Sequence, residues 1–547
     1  MFDIIIKNGT IVDGTGKEKY QADIGINRDT ISEIGNLENA KALKQIDAKG
    51  FFVCPGFVDV LNHSDSYFKI FSNPTLDSLA LQGITTIIGG NCGASLAPLA
   101  SSFTMSDLNK RMGFKANVIT NPSKSETLLK SMRKWIDVSG ININWSTLDE
   151  FLDVLGTQGI SLNFGTLIGH SSMRRNLVGE RISDLTSDEM TFFKEMIADS
   201  MQQGALGMSC GLSFSHENFV ETSELLDLAS VLHDSDSIMA FHLRNESGKI
   251  IESVAEVIEI AKRSGVRIEI SHFKINGKEN WNKINEAFSL IEKANEKGLE
   301  INFDFYPYDF GWTVFYQFLP SSLYIGGREK MLKRLMDEKE KPEILKSLQK
   351  ISARVSEMII AYSPFNKSFV GRSFTDIAQS QGISLEEAIM MALIGSRGHL
   401  ICFDKNLDEK NIVRQIKHPL GILSSDGSGF YEEESRNGQL VHPRCFGAFT
   451  RFLGKYIREG KFLEWEKAIQ KITSMPALKY GINNRGFLQA GLKADITIFD
   501  PNKIAGLATI DNPFQYSRGV KYVLVNGKFV VNDSKHTKEL AGEIIRK

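Results

Sequence analysis

A cysteine, several histidines and an aspartate recur in one kind of place along this chain, immediately after a short apolar run. Asn62-His63-Ser64-Asp65, Gly90-Asn91-Cys92-Gly93, Gly169-His170-Ser171-Ser172, His242-Leu243-Arg244-Asn245-Glu246, Ser271-His272-Phe273-Lys274 and Ser424-Ser425-Asp426-Gly427 each close such a run. Thiolate and imidazole are good zinc ligands, and a carboxylate can ligate or move protons. Cys92, His242 and His272 are therefore candidate metal ligands, His63 is a weaker one, and Asp426 is a candidate general base and acid. Zinc bound there would lower the pKa of a water and polarise a carbonyl, which is the chemistry of metal-assisted amide hydrolysis. Each residue has a plainer role open to it: a buried thiol, a satisfied core imidazole, a turn-capping carboxylate. His170 reads equally well as a partner to a ligand or as structure. A second set is cationic or phenolic: Lys274 two residues past His272, Tyr306 in Tyr306-Pro307-Tyr308, and Arg444 in His442-Pro443-Arg444. Beside a metal such groups can hold a substrate carboxylate, arginine bidentately, and their alternative is internal ion pairing.

Eight runs supply these ends: Gly56–Leu61, Thr85–Gly89, Leu162–Ile168, Gly204–Met208, Ile238–Phe241, Arg267–Ile270, Glu300–Phe305 and Gly421–Leu423. Helical patterns such as Asn218–His233, Lys249–Ser264 and Trp281–Lys297 lie between them. Alternation of this kind predicts an α/β fold, a (β/α)8 TIM-type barrel over residues 56–484 with its site at the strands' C-terminal rim. The spacing between the seventh and eighth runs exceeds what one helix needs, which predicts an insertion at about residues 312–375. Both ends read as short strands and turns, including Asn526-Gly527, a type I′ hairpin signal. Residues 1–55 and 485–547 are each too short for a comfortable domain, so they are expected to pair into one small β-domain.

Lys plus Arg number 64 against 66 acidic residues, which argues against a broad nucleic-acid or anionic-membrane surface. Five cysteines cannot make a disulfide framework in 547 residues, and no apolar run approaches a membrane span. The N-terminus lacks the basic, then apolar, pattern of a signal peptide. A cytoplasmic chain acting on a small molecule is expected, with its oligomeric state open. Only ten histidines occur in the whole chain, and four of them (63, 170, 242 and 272) fall at strand ends. His216, His233, His399, His418 and His536 read as surface or loop residues.

Taken together, the motifs resemble the D-aminoacylase (N-acyl-D-amino-acid deacylase) branch of the amidohydrolase superfamily. The resemblance spans nearly the whole chain: Asp3 to Gly16, Pro55-Gly56-Phe57-Val58-Asp59, Gly90-Asn91-Cys92-Gly93 with Ala97-Pro98, Gly204-Ala205-Leu206-Gly207, the two histidine motifs, Tyr306-Pro307-Tyr308, Ser425-Asp426-Gly427, His442-Pro443-Arg444 and Ser474-Met475-Pro476-Ala477. It implies a zinc-bearing barrel with a β-domain from both termini, tight zinc binding by Cys92, His242 and His272, and Asp426 as acid and base. It further implies that Lys274, Tyr306 and Arg444 hold the carboxylate of an N-acyl-D-amino acid, whose amide is hydrolysed. The acyl group and side chain would be chosen by loops 64–70 and 94–115 and by the insertion. One departure stands out: the superfamily's His-x-His at the end of strand one is Leu61-Asn62-His63 here. Leucine cannot ligate, which argues for one zinc over two. It leaves two alternatives open, another N-acyl or cyclic amide substrate and a catalytically impaired homologue.

Overall fold

The computed structural model describes residues 1–99, 126, 141–179, 181–214, 217–324 and 327–547. Eight parallel strands form the barrel: Phe57–Asp59, Ile84–Gly89, Asn163–Thr166 continued by Ile168–Gly169, Gly207–Gly211, Ile238–His242, Arg267–Ile270, Ile301–Phe305 and Gly421–Leu423. Hydrogen bonding runs through strands one to three and again from the Ile168–Gly169 continuation to strand eight. A parallel bridge between Asn62 and Gly427 links strand eight back to strand one. The strands are buried along most of their length, as both-faced burial demands of a parallel sheet. All eight expected runs become strands. The fourth begins three residues late, at Gly207, because Gly204 turns the chain at φ 100°.

Amphipathic helices cover the outside. Thr222–Asp234, Ile250–Ser264 and Ile284–Glu296 correspond to the helical patterns of the sequence, the last preceded by a 3-10 turn at Trp281–Lys283. Leu148–Gln158 and Ser187–Gln202 begin with capping boxes, Thr147 with Glu150 and Thr186 with Glu189, which satisfy two otherwise orphaned backbone donors each.

A second, nine-stranded sheet joins both ends of the chain. Phe52–Pro55 pairs antiparallel with Ile496–Phe499, and the isoleucines of both parts (Ile4, Ile6, Ile24, Ile496) share one core. Asn526 and Gly527 both have positive φ, 48° and 75°, as a type I′ turn requires.

After strand seven the chain builds an extra unit. Gly311–Val314, Ile401–Asp404 and Ile359–Tyr362 form an antiparallel sheet, packed with helices around a separate core that includes Phe315, Leu348, Phe374 and Leu393. It runs to Asp404, past the residue 375 expected from the sequence. The reason is that helix Leu385–Gly395 buries Ala388, Ile389 and Leu393 in this core and Ile401–Asp404 is its central strand.

Candidate active site

The strand ends converge on a cavity of about 690 Å³. His63, Cys92, His242, His272, Lys274, Tyr306, Asp426 and Arg444, every candidate site residue of the sequence, border it. The ligand atoms of Cys92, His242 and His272 lie within 4.8 Å of one another and all three residues are buried. His63 is turned toward Asp426 instead, with its Nε2 3.0 Å from Oδ1.

The backbone is held in unusual shapes to achieve this. Cys92, His272 and Asp426 all have positive φ, 54°, 36° and 45°, a region that costs a side-chain-bearing residue energy and recurs at functional sites. Neighbouring groups stabilise each of them. Gly90 turns the chain into Cys92 at φ 71°, where a Cβ would sit 1.8 Å from the Leu167 carbonyl; its N–H donates to Asp65 at 2.7 Å. The His272 N–H donates to Asp304 Oδ1 at 2.9 Å, and Ser424 donates to the same oxygen at 2.5 Å. Asp59 accepts from the N–H of Ser425 at 2.8 Å, next to Asp426. Burial raises both supporting carboxyls, Asp59 to about 6 and Asp304 to about 7.

The donor set fits zinc. Burial alone would raise the Cys92 thiol, but the charge of His272 and the adjacent imidazoles outweigh it and hold the thiol well below its usual value, in the form that ligates. Nδ1 of His242 is buried without a hydrogen-bond partner. Glu246 Oε1 lies 3.2 Å from Nδ1 of His272, leaving Nε2 toward Cys92 at 3.4 Å. A thiolate and two imidazoles with an open side match the ligand set of catalytic zinc.

Around the cluster, charges are paired. Arg444 Nη1 meets Asp426 Oδ2 at 2.8 Å, and its guanidinium lies 4.6 Å from the centre of the Tyr306 ring. Lys274 donates to Glu246 at 2.6 Å and sits 2.8 Å from His272 Nδ1. Burial would raise Asp426, yet Arg444 and then His63 and His272 pull it well below the usual carboxylate range. Glu246 is likewise held ionised against its burial by Lys274 and the two histidines.

The sequence reading gave no role to Glu246, Asp59, Asp304 or Ser213. Glu246 and Asp59 stood inside quoted motifs, an acid four residues beyond a strand-end histidine and an acid within strand one; Asp304 and Ser213 carried no such signal. His418, read as a loop or surface residue, is buried against Phe288 and Phe303, with ring centres 4.3 and 5.2 Å away. His170 is buried outside the cavity, between Glu217 and Glu224. Loop residues 100–115 and His216 lie outside the described residues.

A closed eight-stranded barrel with a thiolate–imidazole cluster and an aspartate on its rim defines a metal-dependent barrel hydrolase. Comparison with known proteins agrees. The profile of the amidohydrolase family matches residues 441–531. N-acyl-D-glutamate deacylase of Alcaligenes xylosoxydans xylosoxydans is 29% identical over 96% of this chain and 93% of its own. D-aminoacylase of the same organism is 27% identical over 100% and 97%. The crystal structure of N-acyl-D-glutamate deacylase from Bordetella bronchiseptica, complexed with zinc and a phosphonate mimic of the tetrahedral intermediate, superposes with a TM-score of 0.81 at 27% identity, covering both chains completely. Over nearly its whole length the chain is thus similar to D-aminoacylases and N-acyl-D-amino-acid deacylases, and part of it matches the amidohydrolase family.

Proposed function

We propose that this enzyme removes the acyl group of N-acyl-D-amino acids, using one zinc ion held by Cys92, His242 and His272. The observation that carries the reading is the buried Cys92–His242–His272 cluster on the floor of the cavity, with Asp426 beside it. Bound zinc supplies Lewis acidity, polarising the scissile carbonyl and lowering the pKa of the attacking water. Asp426 takes the proton of that water and returns it to the departing amine. Arg444 keeps Asp426 ionised before substrate arrives. The buried Nε of Arg444 has no hydrogen-bond partner, so a donor is left for the substrate carboxylate. Sharing the guanidinium with that carboxylate loosens its hold on Asp426, which becomes a better base once the site is filled. Lys274 and Tyr306 complete the carboxylate pocket.

A single zinc is supported by Leu61, which is buried and has no ligand atom, and by His63 and Asp426, whose facing atoms bond each other. Five buried, free cysteines fit a reducing compartment such as the cytoplasm. N-acetyl-D-amino acids should be turned over in preference to L-isomers, hydantoins and dihydropyrimidines, in a preparation whose zinc is quantified. Asp426→Asn should lower kcat by about a thousandfold or more while zinc stays bound. An Asp426→Asn enzyme that kept most of its turnover would overturn the mechanism, and turnover of cyclic amides alone would overturn the substrate.

A further inference from the structure

One side chain with no role so far lies directly against a proposed zinc ligand. Strand four pairs Gly211 with His242 of strand five, and the Leu212 N–H donates to the His242 carbonyl at 3.0 Å. This register brings Ser213 alongside the imidazole, with Oγ 2.7 Å from Nε2. Gln317, carried in by the inserted unit, donates its side-chain amide to the same oxygen over 3.4 Å. Glu246, the carboxylate that could take this place, is 3.7 Å from Nε2, outside hydrogen-bond range, and is engaged by Lys274.

A neutral imidazole carries one N–H, and a hydroxyl oxygen accepts up to two hydrogen bonds. With Gln317 donating to one lone pair of Ser213, the other accepts the His242 Nε2–H. The imidazole lone pair then falls on Nδ1, the buried atom without a partner. A histidine that ligates a metal depends on such a bond at its other nitrogen for tautomer and ring orientation.

We propose that Ser213, supported by Gln317 of the inserted unit, is a positioning residue that fixes the tautomer and orientation of His242 and so strengthens zinc binding. The inference rests on the zinc reading above. It also gives the inserted unit a part in the metal site that its separate core does not reveal.

The test is zinc affinity of the holoenzyme and its variants, measured by competition with a chromogenic chelator, with thermal melting of each zinc-stripped protein alongside. Ser213→Ala should bind zinc about 10- to 100-fold more weakly at an unchanged zinc-free melting temperature, and Ser213→Thr, which keeps the hydroxyl, should stay within about threefold of wild type. Gln317→Ala should show a smaller loss in the same direction. Affinity within about twofold of wild type in Ser213→Ala would overturn the proposal, as would a Ser213→Thr protein as weak as Ser213→Ala. If Ser213→Ala also melts lower, rescue of affinity by Ser213→Thr still decides for the hydroxyl and its absence against it. A wild-type protein that takes up no zinc would instead sink the functional reading itself, so the two failures are told apart.

Discussion

His170 and His242 each sit in a buried cluster at a barrel strand's end, and of the two only His242 borders the cavity of about 690 Å³. His170, after strand three, has Glu217 3.0 Å from Nδ1 and Glu224 3.0 Å from Nε2, and Arg174 completes the group by pairing with Glu224. His242, after strand five, has Ser213 on Nε2 and nothing on Nδ1. Both lie at strand ends, both are buried and both have a carboxylate near. The difference is one nitrogen. A histidine saturated at both ring atoms is a structural cation, whereas one with a lone pair left over, facing a thiol and a second imidazole, can ligate. Strand-end position therefore marks candidates, and the hydrogen-bond count sorts them.

The clusters are also coupled. Glu217, which holds His170, accepts the N–H of Gly211 at 2.9 Å, two residues before Ser213. The structural cluster thus anchors the turn that presents Ser213 to His242. This is a chain of contacts from a closed ion network to the metal site.

The sharpest way to break the comparison is to remove the thiol. Cys92→Ala should retain less than about a tenth of wild-type zinc and lose activity by about a thousandfold or more, because two imidazoles do not make a tight site. Metal analysis of the purified variant checks it, and full zinc content would show that the ligands lie elsewhere.

The matching change in the other cluster should spare the metal and harm the fold. His170→Gln removes a cation from between two buried carboxylates, a loss of about 3–5 kcal/mol of stability in comparable cases. Because Cys92, His242 and His272 are untouched, the folded protein should still fill to wild-type zinc content, and any loss of affinity passed on through Glu217 and Gly211 should stay below that of Ser213→Ala. The sign of the pH dependence follows from the same contacts. Burial lowers His170, but its bonds to Glu217 and Glu224 outweigh this and raise it from 6.5 to about 9. The folded pKa is the higher one, so this contribution is fully present below about pH 6.5 and is lost as pH rises through about 9, an amount of about 3 kcal/mol. The stability gap between wild type and His170→Gln, from denaturant melts at pH 6 and pH 9, should narrow accordingly. An unchanged gap would mean that His170 is neutral in the folded protein.

How much of this was readable in the sequence follows from range. The eight strands were legible because apolar runs bounded by glycine and polar residues are local patterns, and the candidate ligands were legible because they stand immediately after those runs. His170 could not be sorted, since its partners are 47 and 54 residues away on a separate turn and helix. The positive φ of Cys92, His272 and Asp426 was equally hidden, since the carboxylates that brace these segments, Asp65, Asp304 and Asp59, come from distant parts of the chain. Ser213 was invisible for the same reason: nothing in Leu212-Ser213-Phe214 reveals that register sets it against His242. The inserted unit was detected by its length, but its end was not, because the central strand Ile401–Asp404 is contributed last.

The smallest expected effect tests the leftover-nitrogen rule in the opposite direction, by adding one. Leu61 stands two residues before His63, just past the end of strand one at Asp59. His63 Nε2 faces Asp426, and Leu61 is buried with no atom that could ligate, so Leu61 contributes nothing to a second cation here. Leu61→His supplies a second imidazole next to His63 and Asp426. Zinc content should rise from about one per chain toward two, at a cost of about 1–3 kcal/mol for the new buried polar group. Because the Cys92–His242–His272 cluster is untouched, activity should change less than in Cys92→Ala. If zinc content stays at one, Leu61 is not what limits the ion count, and the bond between His63 and Asp426, reinforced by Arg444 on the far oxygen, becomes the reason instead.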